Sequence, residues 1–542
     1  MKKLSTLLII AFALVLGLTQ CKKKVDTIAT PNNLGEAVYI TVNVSGDKHI
    51  VYPGTGAVVY GNGDKIYVGN NGTYVGTLTY ADGIFSGTIY GPETTDYLHF
   101  YFLGGLTPSA IPEAGTTPDF TVSIADQSTQ LPVLSYGRST AMYTDGNATY
   151  GCTLLNKCGL VKFVPATATS ETVRVHGMKT TAKIDFATPG ITPTDATGTI
   201  TLYPEPESDA KWAILLPQDE VSTPDGMIGQ YGCIMSKVPE VTENLYSISG
   251  VSMTVKPGML SRQFTINSDG DKVRFSQGNL QYIGSATTPY WKFADNQYEY
   301  FGNKNGQHGS SASDIDRDLF GWGTSGYDHG TTCYQPWSTS KKSSEYNPYG
   351  SLTNNLYDGE GDNKGKADWG YNAISNGGNE ENFGWRTLTK DEWVWVWGPS
   401  SAPNPGHNCR KSSTVNNVEN ARFAKAYLFG SVHGVILFPD NYTHPEGVDA
   451  PEGVNVYGST SWDANQYNVE DWGKMEAAGC VFLPAAGIRD GSSVTGDNSS
   501  GYYWSSNYSS NDNGYNANFQ YNNFYSSGSN LRNYGFSVRL VF

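Results

Sequence analysis

The stretch GDKIYVGNNGTYVGTLTYADGIFSGTIY, residues 63–90, decides the fold class of the N-terminal half. Its three runs of aromatic and β-branched residues are separated by an Asn-Gly pair and an Asp-Gly pair. Such pairs supply the positive φ angles of tight hairpins. Tyr74, Leu78 and Tyr80 keep to one face of a period-2 pattern. The stretch therefore predicts three antiparallel strands joined by hairpins.

Short strands separated by turn residues continue to about residue 255. After Thr140 the runs LVKFVPA, ETVRVHGM, AKIDFA, GTITLYP and KWAILLP are again separated by Pro, Gly, Asp and Thr, without helical periodicity. Strands with one apolar face bury it by packing sheet on sheet. We therefore predict two antiparallel β-sandwich domains, at residues 35–138 and 139–258.

The distribution of tryptophan along the chain indicates the main domain boundary. Of 12 Trp, only Trp212 precedes residue 260, and the other eleven lie between Trp291 and Trp504. This change in composition indicates a different fold after the sandwiches. The predicted C-terminal domain spans residues 262–542.

One short helix and a terminal strand are predicted in that domain. Thr389 and Glu392 have the spacing of a capping box, and an i, i+3, i+4 apolar stripe follows at Trp393, Val396 and Trp397. The last residues, GFSVRLVF, alternate as a half-buried strand does. The predicted fold class is therefore mainly β with a C-terminal α+β part.

Residues 501–530 consist almost entirely of Tyr, Asn, Ser, Gly and Phe, a bias that often accompanies disorder. Tyr502, Trp504 and Tyr508 nevertheless alternate as one strand, and Ala517, Phe519 and Tyr521 alternate as the next. Residues 511–514 supply the turn between them. The alternation predicts a β-meander.

Residues 1–21 have the features of a secretion signal. Lys2 and Lys3 precede an apolar run that is too short to span a bilayer. Leu18 to Cys21 resemble the bacterial lipobox, which implies lipidation of Cys21 and a membrane partner through that anchor. The polar residues 22–34 are then a flexible tether. The expected location is the outer membrane, at the cell surface.

The first half resembles the fimbrillin-like proteins of Bacteroidetes. The matching features are the GDKIYV strand, the YLHFYFLGG run at Tyr97–Gly105 and LLNKCGLVKF at Leu154–Phe163. The resemblance covers residues 35–255. It implies a fimbrial or adhesive role, with other fimbrial subunits as partners.

The second half resembles the Fibrobacter-type major paralogous domains, which have a C-type-lectin-like fold related to that of formylglycine-generating enzymes. The motifs that match are VRFSQGNLQY, WKFADNQYEYFG, DLFGWGTSGYD, GWRTLTKDEWVWVW, HGVILFPD and FLPAAGIRDG. This resemblance implies a binding head, or alternatively a thiol oxidase.

Charge and motif content narrow the function classes. The formal net charge of −15 disfavours nucleic acid, since a phosphate backbone would be repelled. No zinc motif or paired carboxylate is evident, and the one close cysteine pair, Cys152 and Cys158, lies in the sandwich region and not in the second half. We therefore expect neither an enzyme nor a cofactor. Two alternating acidic runs could offer oxygen ligands to calcium, at Asp314, Asp316 and Asp318 and at Asp358, Glu360 and Asp362, but neither completes an EF-hand. Calcium binding is therefore left open, with solvated acidic loops as the default interpretation.

Aromatic and polar loops in the second half are the best candidates for a binding site. Tyr and Trp stack on sugar rings or protein, while Asn and Ser supply hydrogen bonds. We predict an adhesin that recognises a glycan or a surface protein, with polysaccharide capture for nutrient uptake as the alternative. The candidate ligand-binding residues are Tyr508, Tyr515, Tyr525, Trp322 and Tyr327.

Overall fold

The computed structural model describes residues 35–44, 60–110, 113–117, 120–205, 208–306, 312–399, 410 and 413–542. The predicted signal peptide, Cys21 and the tether lie outside these residues, as does Cys409. Strands dominate the described chain and both of its α-helices lie in the C-terminal part, which confirms the predicted fold class. No helix in these ranges is both long enough and apolar enough to cross a bilayer.

Seven strands close into the N-terminal barrel. The quoted stretch forms three consecutive antiparallel strands, as predicted. The strands up to residue 156 are β1 Ala37–Val44, β2 Lys65–Asn70, β3 Thr73–Ala81, β4 Ile84–Tyr90, β5 Tyr97–Phe102, β6 Phe120–Ser123, β7 Ser135–Met142, β8 Thr149–Cys152 and β9 Leu155–Asn156. Around the barrel the order is β5-β2-β3-β4-β1-β8-β7, and β7 returns to β5.

The sequence patterns did not indicate how the barrel closes. β1 pairs with β4 in the antiparallel sense and with β8 in the parallel sense. β6 leaves the barrel and pairs instead with a strand of the next unit. Strand pairing thus crosses the predicted domain boundary between residues 138 and 139. The sequence could not show this, because turn residues indicate where a strand ends but not which strand it pairs with.

The middle unit packs an eight-stranded sheet and a three-stranded sheet around one core, which includes Phe163, Trp212 and Ile214. Its strands, besides β6, are β10 Gly159–Pro165, β11 Val173–Lys179, β12 Thr181–Asp185, β13 Gly190–Pro193, β14 Thr197–Thr201, β15 Tyr203–Pro204, β16 Lys211–Leu215, β17 Asp225–Ile228, β18 Tyr231–Met235 and β19 Tyr246–Val255.

The C-terminal unit consists of small sheets, long loops and two helices, α1 Lys390–Trp397 and α2 Val469–Ala477. Its strands are β20 Phe264–Thr265, β21 Lys272–Val273, β22 Leu280–Ile283, β23 Tyr290–Phe293, β24 Arg386–Thr387, β25 Phe423–Leu428, β26 Val432–Leu437, β27 Gln466–Tyr467, β28 Val481–Pro484, β29 Ile488–Asp490, β30 Ser493–Thr495, β31 Ser500–Tyr508, β32 Asn513–Gln520, β33 Phe524–Leu531, β34 Tyr534–Gly535 and β35 Leu540–Val541. Short 3-10 helices lie at Gly302–Gly306, Ala312–Asp314, Ser343–Glu345, Pro348–Gly350, Gly361–Asn363, Trp369–Tyr371 and Trp462–Ala464.

The helix and the meander predicted in this unit are confirmed, whereas the predicted half-buried terminal strand is wrong. Residues 535–541 are buried on both faces, and beyond Gly535 only Leu540–Val541 form a strand. Thr389 Oγ1 accepts the Glu392 N–H at 3.2 Å while a Glu392 carboxylate oxygen accepts the Thr389 N–H at 2.8 Å. The stripe Trp393, Val396 and Trp397 is buried against the sheet β31-β32-β33. That sheet is the predicted meander, and β35 pairs with β24 at the chain end.

Candidate functional site

Trp322, one of the predicted ligand residues, is a core residue. Its side chain is 0% exposed, and its indole N–H donates to the Ser505 carbonyl at 2.8 Å. The Arg532 guanidinium covers one face of the ring, 4.6 Å from its centroid. No ligand can reach this ring in the folded structure, so its contribution is to packing.

Tyr327 belongs to a surface cluster beside the core. Its ring contacts Tyr371 edge to face at 5.1 Å, and the Lys366 ammonium lies over both rings, at 5.9 and 5.4 Å. Burial and the neighbouring carboxyl of Glu381 raise the pKa of Tyr327. Its position next to a ligand surface remains a prediction.

The other three predicted tyrosines do not form one platform. Tyr508 lies opposite Gly514, and Tyr525 lies opposite Asn518, positions of β32 that share one face. Along β32 those two positions are about 13 Å apart. Tyr515 points to the other face, where the lysine that begins α1 lies 5.2 Å from its ring. Tyr525, at 44% exposure, is the most accessible of the three.

A further candidate site is a neighbouring groove of about 670 Å³, of which the sequence indicated only the acidic residues of one loop. We call it the tyrosine groove. Its volume is in the range of small-molecule sites, and it opens to solvent. It is lined by His329, Tyr349, Asn354, Tyr357, Asp358, Gly359, Glu360, Asn363 and Lys364.

Tyr349 is fixed at both ends. Its N–H donates to His329 Nδ1 at 3.2 Å, and its hydroxyl donates to the Leu356 carbonyl at 2.8 Å. Its φ of 56° lies in the left-handed region, which costs a non-glycine residue about 1–2 kcal/mol. The contacts that hold the ring offset this strain.

The neutral imidazole of His329 fixes the position of Tyr349. Nε2 donates to the Gly323 carbonyl at 3.0 Å, which leaves Nδ1 as the acceptor for the Tyr349 N–H. The imidazole is almost fully buried, and burial lowers its pKa. The histidine is therefore a positioning residue for the groove.

Tyr357 supplies the accessible aromatic face of the groove. It is 36% exposed, and its ring lies about 3.7 Å from the point where a Cβ on Gly365 would stand. Gly359 allows the backbone to approach the other ring, since a Cβ there would be 2.6 Å from Tyr349 Cε1. The absence of a side chain at Gly359 thus allows the loop its close contact with Tyr349.

A buried carboxyl, Asp368, lies beneath the groove. It accepts the Gly370 N–H at 2.8 Å and the Thr387 N–H at 3.3 Å. Burial raises the pKa of Asp368 to about 6. Burial raises the pKa of both Tyr349 and Tyr357, and the charge of Asp368 adds to this effect, so both phenols stay protonated.

The rim of the groove is polar and weakly acidic. Asn354 and Asn363 offer amides, Asp358 and Glu360 offer carboxylates, and Lys364 offers one ammonium. Asp358 Oδ2 accepts the Asn355 N–H at 2.8 Å, which fixes the loop that carries Tyr357. Amides and carboxylates around an aromatic face can bind hydroxyl groups.

Tyr508 is joined to this loop from outside the groove. Its N–H donates to Asn355 Oδ1 at 3.1 Å, and the Leu356 N–H donates to the Ser506 carbonyl at 2.9 Å. The end of β31 therefore holds the groove loop in place. Of the five predicted residues, Tyr508 is the one the structure brings into hydrogen-bonding contact with this loop.

The described ranges also locate one acidic run and most of the cysteines. No three His, Cys, Asp or Glu side chains there are grouped so that they could hold a metal ion. Asp318 turns inward and accepts hydrogen bonds from Asn305 Nδ2 and the Phe301 N–H, both at 2.6 Å. Burial raises the pKa of four buried thiols to about 12, namely those of Cys152, Cys158, Cys233 and Cys480.

One family model matches the chain, over residues 459–541, and its description is a domain of unknown function, DUF8237. The matched segment contains α2 and the meander but not the tyrosine groove. The comparison with curated proteins finds no match.

Several solved structures resemble the chain at low identity. A candidate cell adhesion protein from Bacteroides uniformis is 15% identical, with a TM-score of 0.27, covering 42% of this chain and 98% of that chain. A fimbrial protein from Bacteroides ovatus is 12% identical, with a TM-score of 0.23, covering 94% and 99%. The fimbrial anchor protein Mfa2 from Porphyromonas gingivalis is 9% identical, with a TM-score of 0.22, covering 38% and 78%. Likenesses this distant do not establish a shared function.

Proposed function

We propose that the protein is a non-enzymatic cell-surface adhesin whose C-terminal unit recognises a glycan through the tyrosine groove. The observation that carries the proposal is the groove itself, where the exposed ring of Tyr357 and the fixed ring of Tyr349 stand among amide and carboxylate groups. A sugar ring can stack on such a face while its hydroxyls bind the rim. Because Tyr349 is held before binding, little entropy is lost in ordering that ring.

The charge of the groove favours a neutral glycan. Two carboxylates and one ammonium line it, and His329 is held neutral by burial. A sulfated or uronic-acid polymer would approach two carboxylates and a chain of net charge −15. We therefore expect neutral saccharides to bind more tightly than their acidic counterparts.

The anchoring half of the proposal rests on the sequence resemblances. Lipidation of Cys21 would attach the chain to the outer membrane through the tether at residues 22–34. The barrel and the middle unit would then carry the C-terminal unit, of C-type-lectin-like fold, away from the surface, and other fimbrial subunits are further proposed partners. A Cys21→Ser variant should lose metabolic labelling by palmitate; retained labelling would contradict the anchor.

A glycan array probed with the intact chain tests the proposed function. We expect signals on neutral saccharides that disappear in Tyr357→Ala and persist in Tyr521→Ala, a matched control because Tyr521 is 50% exposed in the same unit. Equal signals for both variants would place binding outside the groove. Binding to host-cell protein but to no saccharide would show that the ligand class is wrong.

A further inference from the structure

A second groove lies on the two-stranded ribbon formed by β22 and β23. Its volume is about 320 Å³, at the lower end of the range of small-molecule sites. We call it the ribbon groove. It shares no lining residue with the tyrosine groove.

The floor of the ribbon groove is one face of the two strands. Gln281 lies opposite Lys292, and Ile283 lies opposite Tyr290, so these four side chains share a face. Opposite Cβ atoms in such a pair are about 5 Å apart, and neighbouring residues of one face are about 7 Å apart along a strand. All four groups are therefore within reach of one ligand of side-chain size.

Gln281 presents an unpartnered amide to this floor. The residue is 5% exposed, and its amide forms no hydrogen bond with any residue that the structure describes. Neither amide atom is sealed inside the protein, so both are reached from the groove. Because a largely buried amide needs partners, Oε1 is an acceptor that a ligand with hydrogen-bond donors can use.

Asp316 places a carboxylate at one edge of the floor. Arg317 and Tyr282 form an antiparallel bridge, which sets Asp316 beside Ile283 on the groove side. The Ser285 N–H donates to Asp316 Oδ1 at 3.1 Å and holds the carboxylate there. The position of this charge is therefore fixed by the backbone.

Tyr290 bounds the opposite edge of the floor. Its side chain is 41% exposed, so its ring is accessible. Since Asp316 and Tyr290 flank Ile283 on its two sides, their backbones are two strand spacings apart, about 10 Å. A cation between them can pair with the carboxylate and lie over the ring.

The charge of the ribbon groove favours a cation. Its carboxylates are Asp295, Glu299 and Asp316, and its one lining cation is Lys292, which pairs with Asp295 at 2.7 Å. Arg317 is buried behind Asp316 and offsets part of its charge, but the three carboxylates still outnumber the two cations. Within the described ranges neither Glu299 nor Asp316 forms an ion pair, so negative charge is left for a ligand.

From the amide, the carboxylates and the ring we infer that the ribbon groove binds a basic side chain, of arginine or lysine, carried by a protein partner. The cation lies between Asp316 and Tyr290 and donates a hydrogen bond to Gln281 Oε1. A neutral ligand would leave the carboxylates unpaired, and an anion would be repelled. The inference is independent of the glycan function and uses none of its residues.

Surface plasmon resonance on the intact chain tests the inference with three capped tripeptides, whose central residue is arginine, lysine or citrulline. Citrulline has the shape of arginine without its charge. We expect at least one basic peptide to bind saturably and the citrulline peptide to bind about tenfold more weakly or worse. Equal binding of the citrulline peptide, or no saturable binding of either basic peptide, would overturn the inference.

Two variants locate the binding. Asp316→Asn keeps an oxygen for the Ser285 N–H but removes the charge, and should weaken the basic peptide about tenfold or more. Gln281→Leu removes the amide at similar volume and should weaken the peptide about threefold to tenfold.

Two control variants should bind the peptide as the wild type does. Asp269→Asn removes one charge at an exposed position of the same unit. Tyr357→Ala alters the tyrosine groove alone, so a loss of peptide binding in this variant would place the peptide in that groove. Circular dichroism confirms that each variant folds. Wild-type affinity in folded Asp316→Asn and Gln281→Leu would show that the basic side chain does not bind in the ribbon groove.

Discussion

The buried carboxyl beneath the tyrosine groove should make the stability of the C-terminal unit depend on pH. The pKa of Asp368 rises from its ordinary value of 3.8 to about 6 because the group is buried. The folded state therefore holds the proton more tightly than the unfolded state does. This stabilisation is fully present below pH 3.8 and is lost as the pH rises through 6.

The magnitude follows from the two pKa values. A difference of about two pH units, at about 1.4 kcal/mol for each, corresponds to about 3 kcal/mol. Asp368→Asn has no titrating proton at this position. The free energy of unfolding of the wild type minus that of the variant should therefore fall by about 3 kcal/mol between pH 3.5 and pH 7.

Urea unfolding followed by tryptophan fluorescence measures this difference, because eleven of the 12 Trp lie beyond residue 290 and report on the C-terminal unit. Asp362→Asn, an exposed position in the neighbouring loop, controls for the loss of one negative charge. If wild type and Asp368→Asn differ by the same amount at both pH values, the buried-charge argument is wrong.

Three further results are expected. Gly359→Ala places a Cβ 2.6 Å from Tyr349 Cε1 at a residue with a φ of 109°. The variant should lose about 1–3 kcal/mol of stability and bind the glycan more weakly. Wild-type glycan affinity in this variant would contradict the packing of the Tyr349 ring. Thr389→Ala removes the cap of α1 and should cost about 1 kcal/mol in urea unfolding, whereas Thr389→Ser should cost less; equal losses would argue against the hydroxyl as the cause. Four buried cysteines should be alkylated slowly at pH 8 in the native protein and completely in denaturant, as mapped by mass spectrometry: Cys152, Cys158, Cys233 and Cys480. Rapid labelling in the native protein would show that these thiols are not buried.

Local elements could be predicted from the sequence because their signals are local. Asn71-Gly72 and Asp82-Gly83 take positive φ angles between β2, β3 and β4, as hairpin turns require. The capping box of Thr389 starts α1 at the next residue. The meander within residues 501–530 could be predicted because its aromatic residues recur at every second position, which is the period of a β-strand.

Long-range contacts could not be predicted in the same way. The parallel pairing of β1 with β8 closes the barrel over a separation of about a hundred residues, and no turn residue encodes it. Trp322 stands in an aromatic and polar loop, but its ring is buried because Gly514 and Arg532 come to it from β32 and beyond. Burial of one ring and exposure of the next depend on such partners.

The tyrosine groove shows the same limit. The run from Tyr357 to Asn363 could be noticed only as an acidic loop with glycines, which is also typical of a solvated surface. What makes it a groove is the contact of Tyr349 with His329, twenty residues earlier, and of Leu356 with β31. An aromatic residue beside Asp-Gly-Glu-Gly was the available signal, and it was not specific.

The affinity of the intact chain for a saccharide selected on the array, measured by calorimetry in three versions, tests the central claim most directly. We predict that Tyr357→Ala lowers the affinity about tenfold or more, since a stacked ring contributes about 1–3 kcal/mol, while Tyr525→Ala, on the exposed face of the meander, retains wild-type affinity. The reverse result, with affinity lost in Tyr525→Ala and kept in Tyr357→Ala, would contradict the account and place recognition on the meander.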